Sequence, residues 1–208
     1  MAGDFSAKPA GAIGWTSEVA SGEAALIERC LAGDDTAHAA LVFEHHRLVL
    51  GLATHLMGDR EEALDLSQEV FLRVFRTLHR FRGQSSLRTW IFRIVVNQVR
   101  NRQRWWRRRQ RSNQVSLDEH IRDHGEMVLG AEANTPDREL TRKELGARLK
   151  TAIQHLPFEQ RTALVLREVQ GLRYEEIAFS LGLPVGTVKS RLTRARQALR
   201  EELGDLRC

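Results

Sequence analysis

Apolar residues recur at helical spacing through most of the chain, and no segment alternates apolar and polar positions for long. Gly33, Gly58 and Gly182 mark breaks in this pattern, as does Pro157. The spacing predicts helices over residues of about 23–32, 34–57, 59–78, 87–111, 136–155, 158–169, 174–181 and 185–203. The sequence therefore predicts an all-α protein.

The helical period fails in the middle of the chain, where Gly125 and Gly130 interrupt an acidic stretch. Such a composition is typical of a flexible linker between domains. Pro136 then suits the first position of a new helix, because its missing amide hydrogen is not needed there. We expect a disordered extension over 1–22, a helical domain over 23–111, a flexible acidic linker over 112–135 and a second small helical domain over 136–205.

The helix that begins at Leu87 has two contrasting faces. One face carries Leu87, Trp90, Ile91, Ile94 and Val95, which predicts contact with a core. The other face carries a ridge of arginines and side-chain amides that runs into Trp105 and Trp106: Arg93, Asn97, Arg100, Asn101 and Arg104. Guanidinium groups bind phosphates, Asn hydrogen-bonds base edges and indoles stack on unpaired bases, so this ridge is typical of a nucleic-acid surface.

The charge distribution favours a nucleic-acid surface over an ordinary solvated helix face. The net charge of the 208 residues is only +5, but thirteen arginines and no acidic residue lie between Val70 and Leu117. The arginines are 73, 76, 80, 82, 88, 93, 100, 102, 104, 107, 108, 109 and 111. With no acidic side chain nearby in sequence to neutralise them, we expect an exposed basic surface.

The preceding helix, over about 59–78, carries an acidic outer face. Asp65 and Glu69 lie four residues apart, where like charges destabilise a helix by about 0.2–0.5 kcal/mol. Acidic residues in the first turn would favour the helix dipole, but Glu69 lies well beyond that turn. The pair therefore suggests a partner with a basic surface.

The last two helices have the pattern of a helix-turn-helix. Gly182 occupies the corner, while Ile177 and Val188 lie on the inward faces. Small and basic residues follow on the outward face of the second helix: Gly186, Thr187, Lys189, Ser190, Thr193 and Arg194. Small residues allow backbone amides to approach a phosphate, and Lys or Arg can reach guanine edges in the major groove.

Other classes of function receive little support from the sequence. The two cysteines, Cys30 and Cys208, form no disulfide framework or CxxC site, and no His/Cys set has metal-ligand spacing, so we expect neither a metal nor another cofactor. No apolar run suits a signal peptide or a membrane span, which predicts a cytoplasmic protein.

Three segments, in this order, resemble the extracytoplasmic-function (ECF) sigma factors of bacterial RNA polymerase. They are DLSQEVFLRVFR, FRGQSSLRTWIFRIVVNQVRN and LRYEEIAFSLGLPVGTVKSRLTRARQAL. The resemblance covers about 23–205 and implies a sigma-2 domain, a sigma-4 domain and no sigma-3 domain. It also implies a non-enzymatic, promoter-specificity subunit that is a monomer when free. Expected partners are core polymerase through its β′ clamp helices and β flap, promoter DNA and an anti-sigma factor, in a stress or envelope response.

The resemblance assigns roles to individual residues. It places Asp65, Gln68, Glu69 and Phe71 against the β′ clamp helices, and Lys189, Ser190, Thr193 and Arg194 against the minus-thirty-five element. Asn97 corresponds to the residue that holds a flipped base of the minus-ten element. The pocket for that base would be shaped by the loop of Phe81, Arg82, Gly83, Gln84, Ser85 and Ser86, with Trp90 beneath it. The acidic linker resembles the segment that threads toward the RNA exit path.

Two positions depart from the family pattern. Arg173 stands where many members have Ser or another small helix cap, which implies a loss of about 1 kcal/mol for that helix. Gln84 stands where an acidic residue is common, and this substitution bears on the preferred minus-ten base.

The alternatives are a free-standing repressor or activator, which would not need the acidic face, and a DNA enzyme. An enzyme would need a nucleophile with a base, or carboxylates that hold a metal, and Ser85 and Ser86 have no evident base near them in sequence.

Overall fold

The computed structural model describes residues 17–112 and 136–204. Within those ranges the chain is helical and contains no strand, which confirms the predicted fold class. Eight α-helices lie in this order: α1 Ser17–Leu31, α2 Asp35–Met57, α3 Arg60–Thr77, α4 Leu87–Ser112, α5 Pro136–His155, α6 Phe158–Leu164, α7 Tyr174–Leu181 and α8 Val185–Leu203. A 3₁₀ turn over Leu78–Arg80 follows α3, and a π-helical turn over Val165–Val169 extends α6.

Aspartate side chains cap the starts of α2 and α3 at the positions that the sequence predicts. Asp34 caps α2, because its Oδ1 accepts from the backbone amides of Thr36 and Ala37 at 2.8 and 3.2 Å. Asp59 caps α3 by accepting from the amide of Glu62 at 3.0 Å. Gly58 ends α2 at φ +83°, in the left-handed region that glycine adopts most easily. These local signals explain why the boundaries of α2 and α3 lie close to the predicted ones.

The first four helices form a bundle around a buried apolar stripe from each. Leu41 and Leu52 of α2, Leu66 of α3, and Leu87 and Ile91 of α4 are all buried. Glu23 connects α1 to the start of α4, because its carboxylate accepts a hydrogen bond from the Leu87 amide at 2.9 Å. Burial raises the pKa of Glu23, and the bond from Leu87 opposes that rise.

The last four helices contain the predicted helix-turn-helix. Gly182 makes the corner between α7 and α8 at φ +65°, and the Leu183 amide donates to the Ala178 carbonyl at 3.0 Å. Ile177, Val188 and Leu192 are buried at the crossing of the two helices. Their packing fixes which face of α8 points outward.

The two helical units share one apolar core. α4 packs against α7 as well as against α2 and α3, so Phe92, Val96 and Val99 on a second face of α4 are also buried. Ser180 donates to the Thr89 carbonyl at 3.2 Å, and Arg88 donates to the Gln170 carbonyl at 2.7 Å. The second domain therefore lies against α4 in this structure, and the mobility of the two domains that a flexible linker implies stays a prediction.

The predicted boundaries differ from the structure mainly at the N-terminus. α1 begins at Ser17, so the predicted disordered extension over 1–22 is wrong for its last residues. Residues 1–16, the acidic segment 113–135 and Cys208 lie outside the described residues. Cys30 is buried, and this burial raises the pKa of its thiol. Among the residues that the structure describes, no helix is long and apolar enough to cross a membrane.

Replacement of Asp34 by Ala should destabilise the protein at neutral pH more than at low pH. Hydrogen bonding from Thr36, together with Arg29 at 2.7 Å, holds the pKa of the Asp34 carboxyl well below its usual value. A depressed folded-state pKa gives stability that is complete above the unfolded value of about 3.9 and is lost as the pH falls toward the folded value. The difference in melting temperature between wild type and Asp34→Ala should therefore be largest at about pH 7 and should shrink steadily as the pH falls below about 4.

Asp35 offers the control for this experiment, because its side chain is fully exposed. The Asp35→Ala variant should melt close to wild type at both pH values. A constant difference between Asp34→Ala and wild type across the titration would contradict the role of the ionised cap.

Candidate nucleic-acid and polymerase interface

The ridge predicted on α4 forms along the exposed side of that helix. Arg93, Asn97, Asn101 and Arg104 are exposed, and successive members lie three or four residues apart. Arg93 lies over the Phe179 ring of α7 at 5.5 Å, whereas Asn97 lies further along the helix. The two side-chain amides and Arg104 are therefore accessible to a ligand even with the second domain in place.

The loop before α4 contacts the start of that helix through a ring contact and a hydrogen bond. Phe81 packs edge to face on Trp90 with ring centroids 5.6 Å apart, and Ser86 accepts from the Thr89 amide at 3.1 Å. Gly83 adopts φ +66°, a conformation that favours glycine, and its neighbours Arg82 and Gln84 are exposed. Ser85 is buried and its hydroxyl donates to the Ser86 carbonyl at 3.2 Å, while its part in shaping the pocket stays a prediction.

Two of the arginines on α4 have acidic partners from other helices. Arg102 pairs with Glu69 of α3 at 2.6 Å, and Arg100 pairs with Glu159 of α6 at 3.3 Å. Both partners are distant in sequence, so these two arginines are neutralised in the fold although no acidic residue lies near them along the chain. Glu69 also has a basic partner inside the protein, so its position four residues from Asp65 does not require an external one.

The outer face of α3 presents acidic, amide and apolar groups together. Asp65, Gln68 and Glu69 are exposed, and Leu72 joins them on the same face with 57% of its surface exposed. Phe71 is only 6% exposed and stacks on His46 with centroids 6.5 Å apart. The predicted docking role of Phe71 is therefore corrected, since its ring belongs to the core. Leu72 follows Asp65 by seven residues, the spacing that places both on the outer face of this helix.

α8 presents the predicted small and basic face. Val188 and Leu192 point into the core, so Lys189, Ser190, Thr193 and Arg194 are exposed. The Ser190 hydroxyl donates to the Thr187 carbonyl at 2.9 Å, and the Thr193 hydroxyl donates to the Lys189 carbonyl at 3.1 Å. Gly186 is exposed and Thr187 half-buried in the first turn. The exposed charged groups among these residues are Lys189 and Arg194, five residues apart on α8.

The departure at Arg173 is compensated by its neighbour. The carboxylate of Glu176 accepts from the Arg173 amide at 2.8 Å, which satisfies an unpaired donor at the start of α7. This back-bond accounts for a stable α7 without a Ser or Thr cap.

Sequence reasoning missed the most connected acidic residue near the ridge. The Glu159 carboxylate pairs with Arg100 of α4 at 3.3 Å and with Arg191 of α8 at 2.5 Å, and both guanidinium groups donate to its Oε2. Glu159 therefore joins the helix that carries the ridge to the helix that carries the second basic face. Nothing in the local sequence indicates such a bridge, because Arg100 lies 59 residues away.

Comparison with known families gives two matches that together span both helical units. The family model described as "Sigma-70 region 2" matches residues 41–112, and the model described as "Sigma-70, region 4" matches residues 146–199. RNA polymerase sigma-H factor of Pseudomonas aeruginosa is 39% identical over 181 residues, which cover 87% of this chain and 93% of that protein. The ECF RNA polymerase sigma-E factor of Escherichia coli is 36% identical over 174 residues, covering 84% and 90%.

Solved structures show the same architecture. CnrH, solved in complex with the cytosolic domain of CnrY, superposes with a TM-score of 0.62 at 25% identity, covering 89% of this chain and 99% of that one. The sigma factor RpoE of Bartonella quintana, solved with the anti-sigma factor NepR, also gives a TM-score of 0.62, at 24% identity, covering 80% and 96%. The latter likeness supports the fold alone.

Proposed function

Since this chain belongs to the extracytoplasmic-function group of the sigma-70 family of RNA polymerase sigma factors, we propose that its two exposed helix faces read the two elements of a promoter. The protein is a transcription initiation factor and not an enzyme. The observation that carries the proposal is the presence of two separate surfaces in one chain, the ridge on α4 and the basic face of α8. A free-standing repressor would need only the second of these.

The ridge on α4 suits the minus-ten element. Asn97 carries no charge and adds little affinity for phosphate, so its amide is suited to hydrogen-bond a base edge. Arg93, Asn101 and Arg104 flank it along the ridge and are suited to the backbone. The loop 81–86 and the contact between Phe81 and Trp90 supply an aromatic wall beside the start of the helix.

The outer face of α3 suits a basic surface of core polymerase. Asp65, Gln68 and Leu72 are all accessible there, and a docking site needs an apolar anchor surrounded by polar groups. We assign the β′ clamp helices as the partner of this face and the β flap as a partner of the second domain. We also assign the protein to the cytoplasm, where polymerase meets the chromosome.

We further propose an anti-sigma factor as a regulator of this protein. The sigma factor RpoE of Bartonella quintana was solved in complex with the anti-sigma factor NepR, and CnrH in complex with the cytosolic domain of CnrY. A chain with exposed basic faces on α4 and α8 binds DNA without selectivity unless a partner covers those faces. A stress or envelope signal that releases the inhibitor would then control a protein that is monomeric when free.

The α8 face gives a direct prediction. Arg194→Ala should weaken binding of a minus-thirty-five duplex by about 1–3 kcal/mol, because the exposed guanidinium loses its contact with a base edge or phosphate. Fluorescence anisotropy with a labelled duplex measures the change, and the melting temperature should stay that of wild type. Arg200→Ala, an exposed arginine later in α8, serves as the control. Equal affinities of Arg194→Ala and wild type would show that α8 meets DNA through another face.

The function as a whole is tested by transcription in vitro. Purified protein is added to core polymerase with a library of promoter sequences, and the transcripts are sequenced. We expect initiation from promoters that share a minus-ten and a minus-thirty-five element. Binding to duplex DNA with no transcript from any promoter would favour a free-standing repressor instead.

A further inference from the structure

The C-terminal end of α2 is capped by a side chain from the second domain. The Nε2 of Gln154 on α5 donates to the His55 carbonyl at 2.7 Å. That carbonyl belongs to the last turn of α2, where carbonyl groups lack a partner within the helix. Gly58 leaves room for the contact, because a Cβ at that position would lie only 3.1 Å from the Gln154 side chain. The first domain therefore contains a specific site for one glutamine of the second.

A buried arginine sets the orientation of that glutamine. Arg161 of α6 is only 8% exposed, and its Nη1 donates to the side-chain oxygen of Gln154 at 2.5 Å and to the Gln154 carbonyl at 2.9 Å. Because the amide oxygen accepts from Arg161, the amide nitrogen faces the end of α2. Arg161 thus positions Gln154 for its contact with the first domain.

The two arginines on either side of Asn97 are both engaged by the second domain. Arg93, four residues before Asn97, lies over the Phe179 ring at 5.5 Å. Arg100, three residues after Asn97, pairs with Glu159 at 3.3 Å. A carboxylate binds a guanidinium through the same kind of charge-assisted hydrogen bond as a phosphate does. Glu159 therefore takes the place that a DNA phosphate would have on Arg100.

The contact between the domains also leaves polar groups unsatisfied. Arg88 reaches from α4 to the Gln170 carbonyl, and Arg100 reaches from α4 to Glu159. In the parts of the chain that the structure describes, both arginines have a buried Nε without a hydrogen-bond partner. Water would satisfy these donors if the domains separated, so their burial destabilises the closed arrangement relative to an open one. A partner that favours separated domains can therefore open the contact.

We propose that this contact is an autoinhibitory lock, in which Gln154 holds the second domain on α2 and Glu159 occupies Arg100 of the ridge. The lock keeps the free protein from binding DNA without selectivity until core polymerase separates the domains. The proposal rests on the proposed function, because it takes the ridge on α4 to be a DNA-binding surface. It gives Gln154 and Glu159 a regulatory role that involves no contact with DNA.

Gln154→Ala should raise the affinity of the free chain for a labelled promoter fragment with an unpaired minus-ten segment by about three- to tenfold. The variant removes one hydrogen bond of the lock and no charge. Fluorescence anisotropy measures the affinity, and small-angle scattering should show a larger radius of gyration. Gln197→Ala is the matched control, since the hydrogen bond of Gln197 to Glu201 lies within α8. Unfolding cannot imitate the result, because an unfolded chain would bind the fragment less tightly.

Glu159→Gln tests the other part of the lock. It removes the charge that holds Arg100 and Arg191 and keeps the size of the side chain, so the affinity should rise by at least about tenfold. Glu202→Gln controls for net charge, because it removes a carboxylate whose partner, His155, lies in the same domain. In holoenzyme assembled with core polymerase, both lock variants should transcribe as wild type does, because the domains are already separated.

Two results would overturn the lock. One is a Gln154→Ala variant whose free-chain affinity and radius of gyration both equal those of wild type. The other is an equal rise in affinity for Glu159→Gln and Glu202→Gln, which would reduce the effect to net charge. In either case, a wild-type holoenzyme that transcribes from the promoter leaves the proposed function intact.

Discussion

The double variant Asp65→Lys/Leu72→Asp is expected to lose co-purification with core polymerase. Asp65→Lys puts a cation against the basic surface that the α3 face is proposed to meet, and Leu72→Asp removes the apolar anchor beside it. Truncation of one interface anchor typically costs about 2 kcal/mol or more, and the reversed charge adds repulsion. We therefore expect at least about a hundredfold loss in affinity, measured by surface plasmon resonance with immobilised core enzyme.

Both positions are exposed, so the double variant should keep its helicity and its melting temperature. Arg60→Glu is the matched control, because Arg60 is exposed at the start of the same helix and lies on a different face from Asp65 and Leu72. Glu69 is left unchanged, since its pairing with Arg102 at 2.6 Å would mix binding with stability. Unchanged affinity of the double variant for core polymerase would remove α3 from the interface.

Asn97→Ala is expected to reduce open-complex formation strongly and to alter the base preference at one minus-ten position. Extrusion of a base from the duplex costs a few kcal/mol, which the pocket must offset. Loss of a good amide contact to that base should cost about 1–3 kcal/mol, or about tenfold to a hundredfold in occupancy of the open state. Permanganate footprinting of the melted region, with promoters that vary at each minus-ten position, measures both effects.

Arg104→Ala provides the contrasting result on the same ridge. It should lower the salt slope of DNA affinity by about one unit and leave the base preference intact, because a phosphate contact carries no sequence information. Asn97→Ala should leave that slope unchanged. If Asn97→Ala opens the same promoters with the same preference as wild type, the base pocket lies elsewhere.

The features that follow from local sequence could be predicted well. Asp59 at the start of α3, Gly58 at the end of α2 and Gly182 at the corner before α8 act on their immediate neighbours, so their positions define helix boundaries directly. The exposed ridge of α4 and the outward face of α8 follow from a period of 3.6 residues. The same period identified Val188 and Leu192 as inward positions.

The features that depend on distant parts of the chain could not be predicted. Phe71 and Leu72 are adjacent, and the first is buried because its ring packs into the core beside His46 of α2. The pairing of Glu159 with Arg100 likewise depends on how α6 lies against α4. The apparent excess of arginine in the sequence overstated the free positive charge, because charge is neutralised in three dimensions and not along the chain.

The shared core affects how the affinity of the free protein should be interpreted. Glu159 holds Arg100, and α7 covers one side of α4, so a DNA ligand that needs those groups can bind only the fraction of molecules in which the second domain has moved away. The apparent dissociation constant then equals the intrinsic one divided by that competent fraction. If one molecule in a hundred were competent, the free chain would bind promoter DNA about a hundredfold more weakly than its surfaces allow. If core polymerase binds only molecules whose two domains are separated, its binding raises the competent fraction. The apparent affinity for promoter DNA then rises with no contact between polymerase and DNA.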